Sequence, residues 1–189
     1  MKRIFLILGI LFIASVACNL NMGESQGGEV RMDEAGFSVV VPNGYEMNSF
    51  FGELSFTKKN ADVFEGPTYH FSVYDKNDNY PDDPNWVMDD YVHNVSQPNE
   101  YTNQIQFTRD RFPVSFNGFN GIALDFIGTT PEEGKPIAGR VIVANLPDGR
   151  VLQVDGTWPE AENTTNLVVF QELLESIKIF EPINPTSES

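Results

Sequence analysis

The chain has 189 residues, with 12 basic against 27 acidic side chains, a formal net charge of −15 and one cysteine. That charge excludes nucleic acid as a partner, because binding it needs a basic patch that displaces counterions. A lone cysteine excludes an intramolecular disulfide and a thiol pair for a metal.

The first residues read as a signal peptide. Lys2 and Arg3 precede an apolar run, Ile4 to Val16, interrupted only by Gly9 and Ser15 and closed by small residues. A spanning helix needs about 20 apolar residues, and this run ends before Asn19, Asn21 and Glu24. The tetrapeptide Ser15-Val16-Ala17-Cys18 resembles the bacterial lipobox, in which the cysteine is acylated before the leader is cut. The resemblance implies a mature protein beginning at Cys18 and anchored by lipid on that residue. It places the protein on the extracytoplasmic face of the cell membrane or outer membrane. One acyl chain holds marginally and two hold stably, at about 0.8 kcal/mol per buried methylene.

Cutting after residue 17 leaves 172 residues, one domain's worth. Without Lys2 and Arg3 the charge becomes −17, which favours solubility and repels anionic headgroups. Residues 18–35 carry Gly23, Ser25, Gly27 and Gly28 with no apolar period, and are expected to form the lipidated end and a flexible linker. Residues 36–180 are expected to form the domain, and residues 181–189, with Pro182 and Pro185, a disordered tail.

Within the domain, Phe37, Val39 and Val41 alternate with smaller residues as a strand requires, and Pro42 ends it. Leu54 to Thr57 and Tyr69 to Tyr74 read as the next strands. Phe50 and Phe51 fall between Asn48 and Gly52 in an expected loop, where adjacent aromatics suit contact with a partner. The spacing of Val87, Tyr91 and Val95 predicts a helix over 85–95, with Asp89, Asp90 and His93 toward water.

Strands follow at 105–108, 112–116 and 122–127, the last two joined by a turn at Asn117 to Gly121. The clearest hairpin pairs Arg140 to Asn145 with Val151 to Trp158 around Leu146-Pro147-Asp148-Gly149-Arg150. Val141 and Val143 occupy one face of its first strand and Ile142 and Ala144 the other, so that strand should be covered on both sides. Val169, Phe170, Leu173, Leu174 and Ile177 predict a closing helix over 165–180, capped by Asn163 or Thr165.

These readings add up to an α+β domain, an antiparallel sheet flanked by helices. Its order of elements resembles the PsbP-like domains. The resemblance rests on Phe37-Ser38-Val39-Val40-Val41-Pro42-Asn43-Gly44-Tyr45, on Val114-Ser115-Phe116-Asn117-Gly118, on the late hairpin, and on Phe170 to Lys178. It implies an α/β/α sandwich over roughly Gly36 to Phe180. Many bacterial members are lipoproteins of unassigned role, and the group has no shared catalytic residues and calls for no cofactor. The chain is therefore expected to be a non-catalytic interaction module for an unknown protein partner.

The residues bear on three other chemistries. Asp75, Asn77 and Asn79 occupy the first, third and fifth places of a calcium loop, with Asp83 further on. Tyr80 replaces the loop's glycine and Trp86 its bidentate glutamate, so at most a weak extracellular calcium site is expected. Small-ligand or calcium binding is the alternative to the interaction module. A hydrolase would need His70 or His93 buried beside a carboxylate and a serine, and there is no G-x-S-x-G elbow.

Overall fold

The structure, a computed structural model, describes residues 27–50, 53–61, 66–74, 83–97 and 103–183. In chain order the elements are β1 (Glu29–Met32), β2 (Phe37–Val40), β3 (Tyr45–Phe50), β4 (Glu53–Lys58), β5 (Thr68–Tyr74) and α1 (Pro84–Val95). There follow β6 (Asn103–Phe107), β7 (Phe112–Phe116), β8 (Phe119–Thr129), β9 (Pro136–Asn145), β10 (Val151–Pro159), α2 (Asn163–Ser176) and β11 (Lys178–Ile179).

Eight strands form an antiparallel sheet in the order β3-β4-β5-β10-β9-β8-β6, with β7 also paired to β8. The middle strand β9 is sandwiched as its two apolar faces require. Val141 and Val143 pack with Val87 and Met88 of α1, while Ile142 and Ala144 join Phe170, Leu173 and Leu174 of α2. Trp158, Tyr69 and Phe170 form an aromatic knot on the α2 side, with ring centroids about 6 Å apart. Gly156 lies under it, and a Cβ there would come within 2.8 Å of Trp158 and Tyr69.

Three differences from the sequence reading stand out. The first strand starts at Glu29, inside the expected linker: Glu29 binds Lys178 Nζ (3.0 Å) and Ser38 Oγ (2.5 Å), and Val30 and Met32 pack on the core. The closing helix stops at Ser176, because Lys178–Ile179 leave it to pair with β2. The α2 face of the large sheet is consequently shared between a helix and a second, three-stranded sheet, β1-β2-β11. The third difference concerns Phe50, which ends β3 opposite Glu53 instead of lying in a loop.

The strands of the large sheet run between the same two ends. At one gather the Pro42–Tyr45 turn, Lys58 and Glu162; the chain itself enters along the small sheet, where the Gly28 carbonyl accepts from Val41 N–H (3.1 Å) and the neighbouring Val40 N–H donates to Ser176 Oγ (3.1 Å). At the other, the far end, lie the β1-β2, β7-β8 and β9-β10 turns, the C-terminus of α2, and the ends of β3 and β5. The nine residues of β10 run from one to the other, about 27 Å at 3.4 Å per residue step.

Candidate functional site at the far end of the sheet

Local sequence builds each turn of the far end. Asn117 and Gly118 both take positive φ (42° and 83°), the two-residue turn that matches strand twist, and set Phe116 against Phe119. Gly149, at φ 88°, closes the Leu146–Arg150 turn, where Leu146 N–H donates to Arg150 O at 2.8 Å. Gly36 combines φ 65° with tight surroundings: a Cβ would fall 2.5 Å from Phe180 O and 2.9 Å from the Arg150 guanidinium.

Arg150 ties these turns together, at 6% exposure. Its guanidinium donates to Asp148 (2.8 Å), to Phe180 O (3.2 Å) and to Ala35 O. Burial alone would raise the Asp148 carboxyl, but the hydrogen bonds and charge of Arg150 hold it below the ordinary aspartate range. Around this clamp opens a groove of about 840 Å³, between Asn117, Phe119, Pro147 and Asp148 on one wall and Ile177 to Pro182 on the other. Its volume is in the range of ligand pockets. Asn117 Nδ2 bridges the walls by donating to Ile177 O.

A second polar constellation lies on the α1 side of the large sheet. Ser55, His70 and Asp155 stand directly opposite one another on β4, β5 and β10. Gln153 donates to Asp155 (3.0 Å), and burial pushes the Asp155 carboxyl up, against the opposing pull of His70 and Gln153. His70 is exposed, and the backbone amides of all three strands are engaged in ladders on both sides. The row thus has a serine, a histidine and a carboxylate but no free amide pair to stabilise an oxyanion.

Because its folded-state affinity for a proton is raised, Asp155 opposes folding once it ionises, and that cost grows as pH rises above the ordinary aspartate value. D155N is expected to stabilise the protein at pH 7 by about 1 kcal/mol, an advantage that vanishes toward pH 4. Urea unfolding at the two pH values measures it, and equal effects at both would sink the argument.

The remaining sequence candidates are placed as follows. Cys18, Phe51, Asp75, Asn77 and Asn79 lie outside the described residues, and of Phe50 only the backbone is described. Asp83 caps α1, its carboxylate accepting from Asn85 N–H at 2.9 Å. His93 is exposed in the last turn of α1. Among the described residues, no three His, Cys, Asp or Glu side chains are gathered to hold a metal. The sequence reading missed the groove because its walls are about 60 residues apart in the chain, Asn117 against Ile177. Its one local trace is an arginine placed directly after the Asp148-Gly149 turn.

The architecture is that of a β-rich α+β sandwich with one helix on each face. Comparison with solved structures defines it further as the PsbP-like fold. Cyanobacterial PsbP (CyanoP) from Synechocystis sp. PCC 6803 superposes with a TM-score of 0.55 at 13% identity, over 81% of this chain and 92% of that one. LpqN of Mycobacterium tuberculosis, a protein involved in cell envelope biogenesis, gives 0.54 at 16% identity over 84% and 87%. A Bacteroides thetaiotaomicron protein gives 0.56 at 13% identity over 83% of this chain, which spans only 50% of its length. No protein-family model and no curated protein matches the chain in sequence.

Proposed function

We propose that this protein is a lipoprotein, cut before Cys18 and held by lipid on that cysteine, whose domain is a non-catalytic interaction module outside the cytoplasm. The observation that carries this reading is the groove itself, an open channel of about 840 Å³ between the Asn117–Phe119 turn and β11 at the margin of the domain. Ten residues, Asn19 to Gly28, separate Cys18 from β1, and at full stretch they span about 35 Å. A lipid on Cys18 would hold the domain within that reach of the bilayer and leave the groove room to meet a partner.

The non-catalytic part is supported by the Ser55–His70–Asp155 row, which lacks oxyanion donors. The extracytoplasmic part is supported by the leader and by the likeness to LpqN, whose role is in the cell envelope. Among the described residues no helix is long and apolar enough to cross a membrane. Photo-crosslinkers placed singly at Glu181, exposed on the groove, and at Glu160, just past the opposite end of β10, test the reading in native membranes. The same protein captured from Glu181 and not from Glu160 is the expected result. Capture from Glu160 alone, or from neither position, would count against it.

A further inference from the structure

The groove at the far end has a free sheet edge as one wall, and we infer that an extended, basic segment of a protein partner docks there by adding a strand to β11. This rests on the interaction-module reading and names the site and chemistry of the contact.

The edge follows from register. Phe180 N–H donates to Gly36 O at 2.9 Å, and Lys178 and Ile179 stand opposite Ser38 and Phe37. In an antiparallel pair the bonded positions alternate. Lys178 and Phe180 therefore face β2, while Ile179 turns both its N–H and its C=O away, into the groove. β11 pairs with no other strand among the described residues. Next along the same edge, the Ile177 carbonyl already accepts from Asn117, a side chain reaching in from the opposite wall. An edge whose neighbouring carbonyl needs a partner from outside the sheet, beside an open channel of about 840 Å³, is suited to main-chain pairing by a peptide. Phe119 and Pro147 on the facing wall offer apolar contact for alternate side chains of the added strand.

Charge selects the kind of segment. Glu34, Glu53, Glu175 and Glu181 are exposed around the far end, beside Asp33 and Asp148, which are exposed but ion-paired. The basic groups there are committed: Arg150 to Asp148, Lys178 to Glu29, and Arg31 to Asp33 and the Phe180 ring. An acidic rim on a chain of net charge −15 favours a basic partner and opposes a second copy of itself.

The test uses the full chain in detergent and two synthetic heptapeptides, Lys and Val alternating or Glu and Val alternating, read by fluorescence anisotropy. The lysine peptide is expected to bind at least tenfold more tightly than the glutamate peptide, and to slow hydrogen exchange at the Ile179 amide. I179P removes the N–H that faces the groove and leaves the bonds to β2, a change that sheet edges tolerate. It should weaken lysine-peptide binding at least tenfold while the chain stays folded, with the thermal midpoint lowered by the packing it also removes, whereas I179A, which loses the same packing and keeps the N–H, should bind nearly as wild type. D148N, at an exposed rim position, should weaken it less and only at low salt.

Equal binding of both peptides, or lysine-peptide binding that I179P leaves intact, overturns the inference. So does binding that appears only after residues 184–189 are deleted, since the groove would then belong to the chain's own tail, or a dimer that I179P dissolves. If these results fail while the Glu181 crosslinker still captures its protein, the interaction-module reading stands and strand addition falls. If both fail, both fall.

Discussion

R150A is expected to lose about 3 kcal/mol of stability, the lower part of the range for breaking a buried pair by deleting one partner. The lower part applies because Asp148 keeps 40% of its side-chain surface in water, whereas Arg150 keeps 8%. Deletion leaves the carbonyls of Ala35 and Phe180 without their donors at the same time. R150K should recover only part of the loss, since one ammonium cannot reproduce a fork that reaches three acceptors in three directions. Urea unfolding at pH 7 measures both variants, and a loss below about 1 kcal/mol in R150A would remove the clamp from the account of the fold.

The same pair makes a pH signature. Asp148 titrates below its unfolded value, so its contribution is complete above the ordinary aspartate range and is lost as pH falls through the depressed folded value. The gap between wild type and R150A should accordingly narrow toward pH 3. Native-state hydrogen exchange would localise the damage: the Gly36 amide, which donates to Asp33 O in the β1-β2 turn, and the Phe180 amide, which donates to Gly36 O, should lose protection before those of β9.

How far the sequence foretold this arrangement depends on the range of the forces involved. β9 was legible because alternation on both faces is local: Val141 and Val143 against Ile142 and Ala144 can only be a strand covered twice. The Leu146–Arg150 turn was legible for the same reason, its proline, aspartate and glycine each setting their own dihedrals. β1 and β11 were not. Each is too short to show a period, and each exists because a distant strand edge takes it up; Glu29 reaches Lys178 across 149 residues. The turn from helix to strand at Ile177 likewise has no local breaker, and the 3.6 period runs straight through it.

The site shows the same division. Asp148, Gly149 and Arg150 were visible as a turn, but the carbonyls that Arg150 holds come from Ala35 and Phe180, and no spacing rule connects these. Phe50 and Phe51 drew attention as adjacent aromatics. β3 was hidden because Glu46, Asn48 and Ser49 lower its strand propensity, while Tyr45 and Met47 pack inward against the core. What the topology adds is that the end of β3 and the start of β4, Phe50 opposite Glu53, lie toward the far end, the end that also holds the groove.

C18S should produce the largest functional change, moving nearly all of the protein from the membrane to the soluble fraction after a high-pH wash. The argument is one of chain number. A single acyl chain binds with K of about 10⁴ M⁻¹, and a diacylated cysteine carries two, so the affinity lost is many orders of magnitude. The uncut leader of the variant is a poor substitute. Its apolar run, Ile4 to Val16, is about 20 Å long as a helix at 1.5 Å per residue, against a hydrocarbon core of about 30 Å. Nor would the acidic domain adhere by itself, since its charge repels anionic headgroups. Mass spectrometry of the wild-type N-terminal peptide should show a chain beginning at Cys18 with acyl mass on it. A variant that stays with the membrane, or a wild-type Cys18 found bare, would remove the anchor.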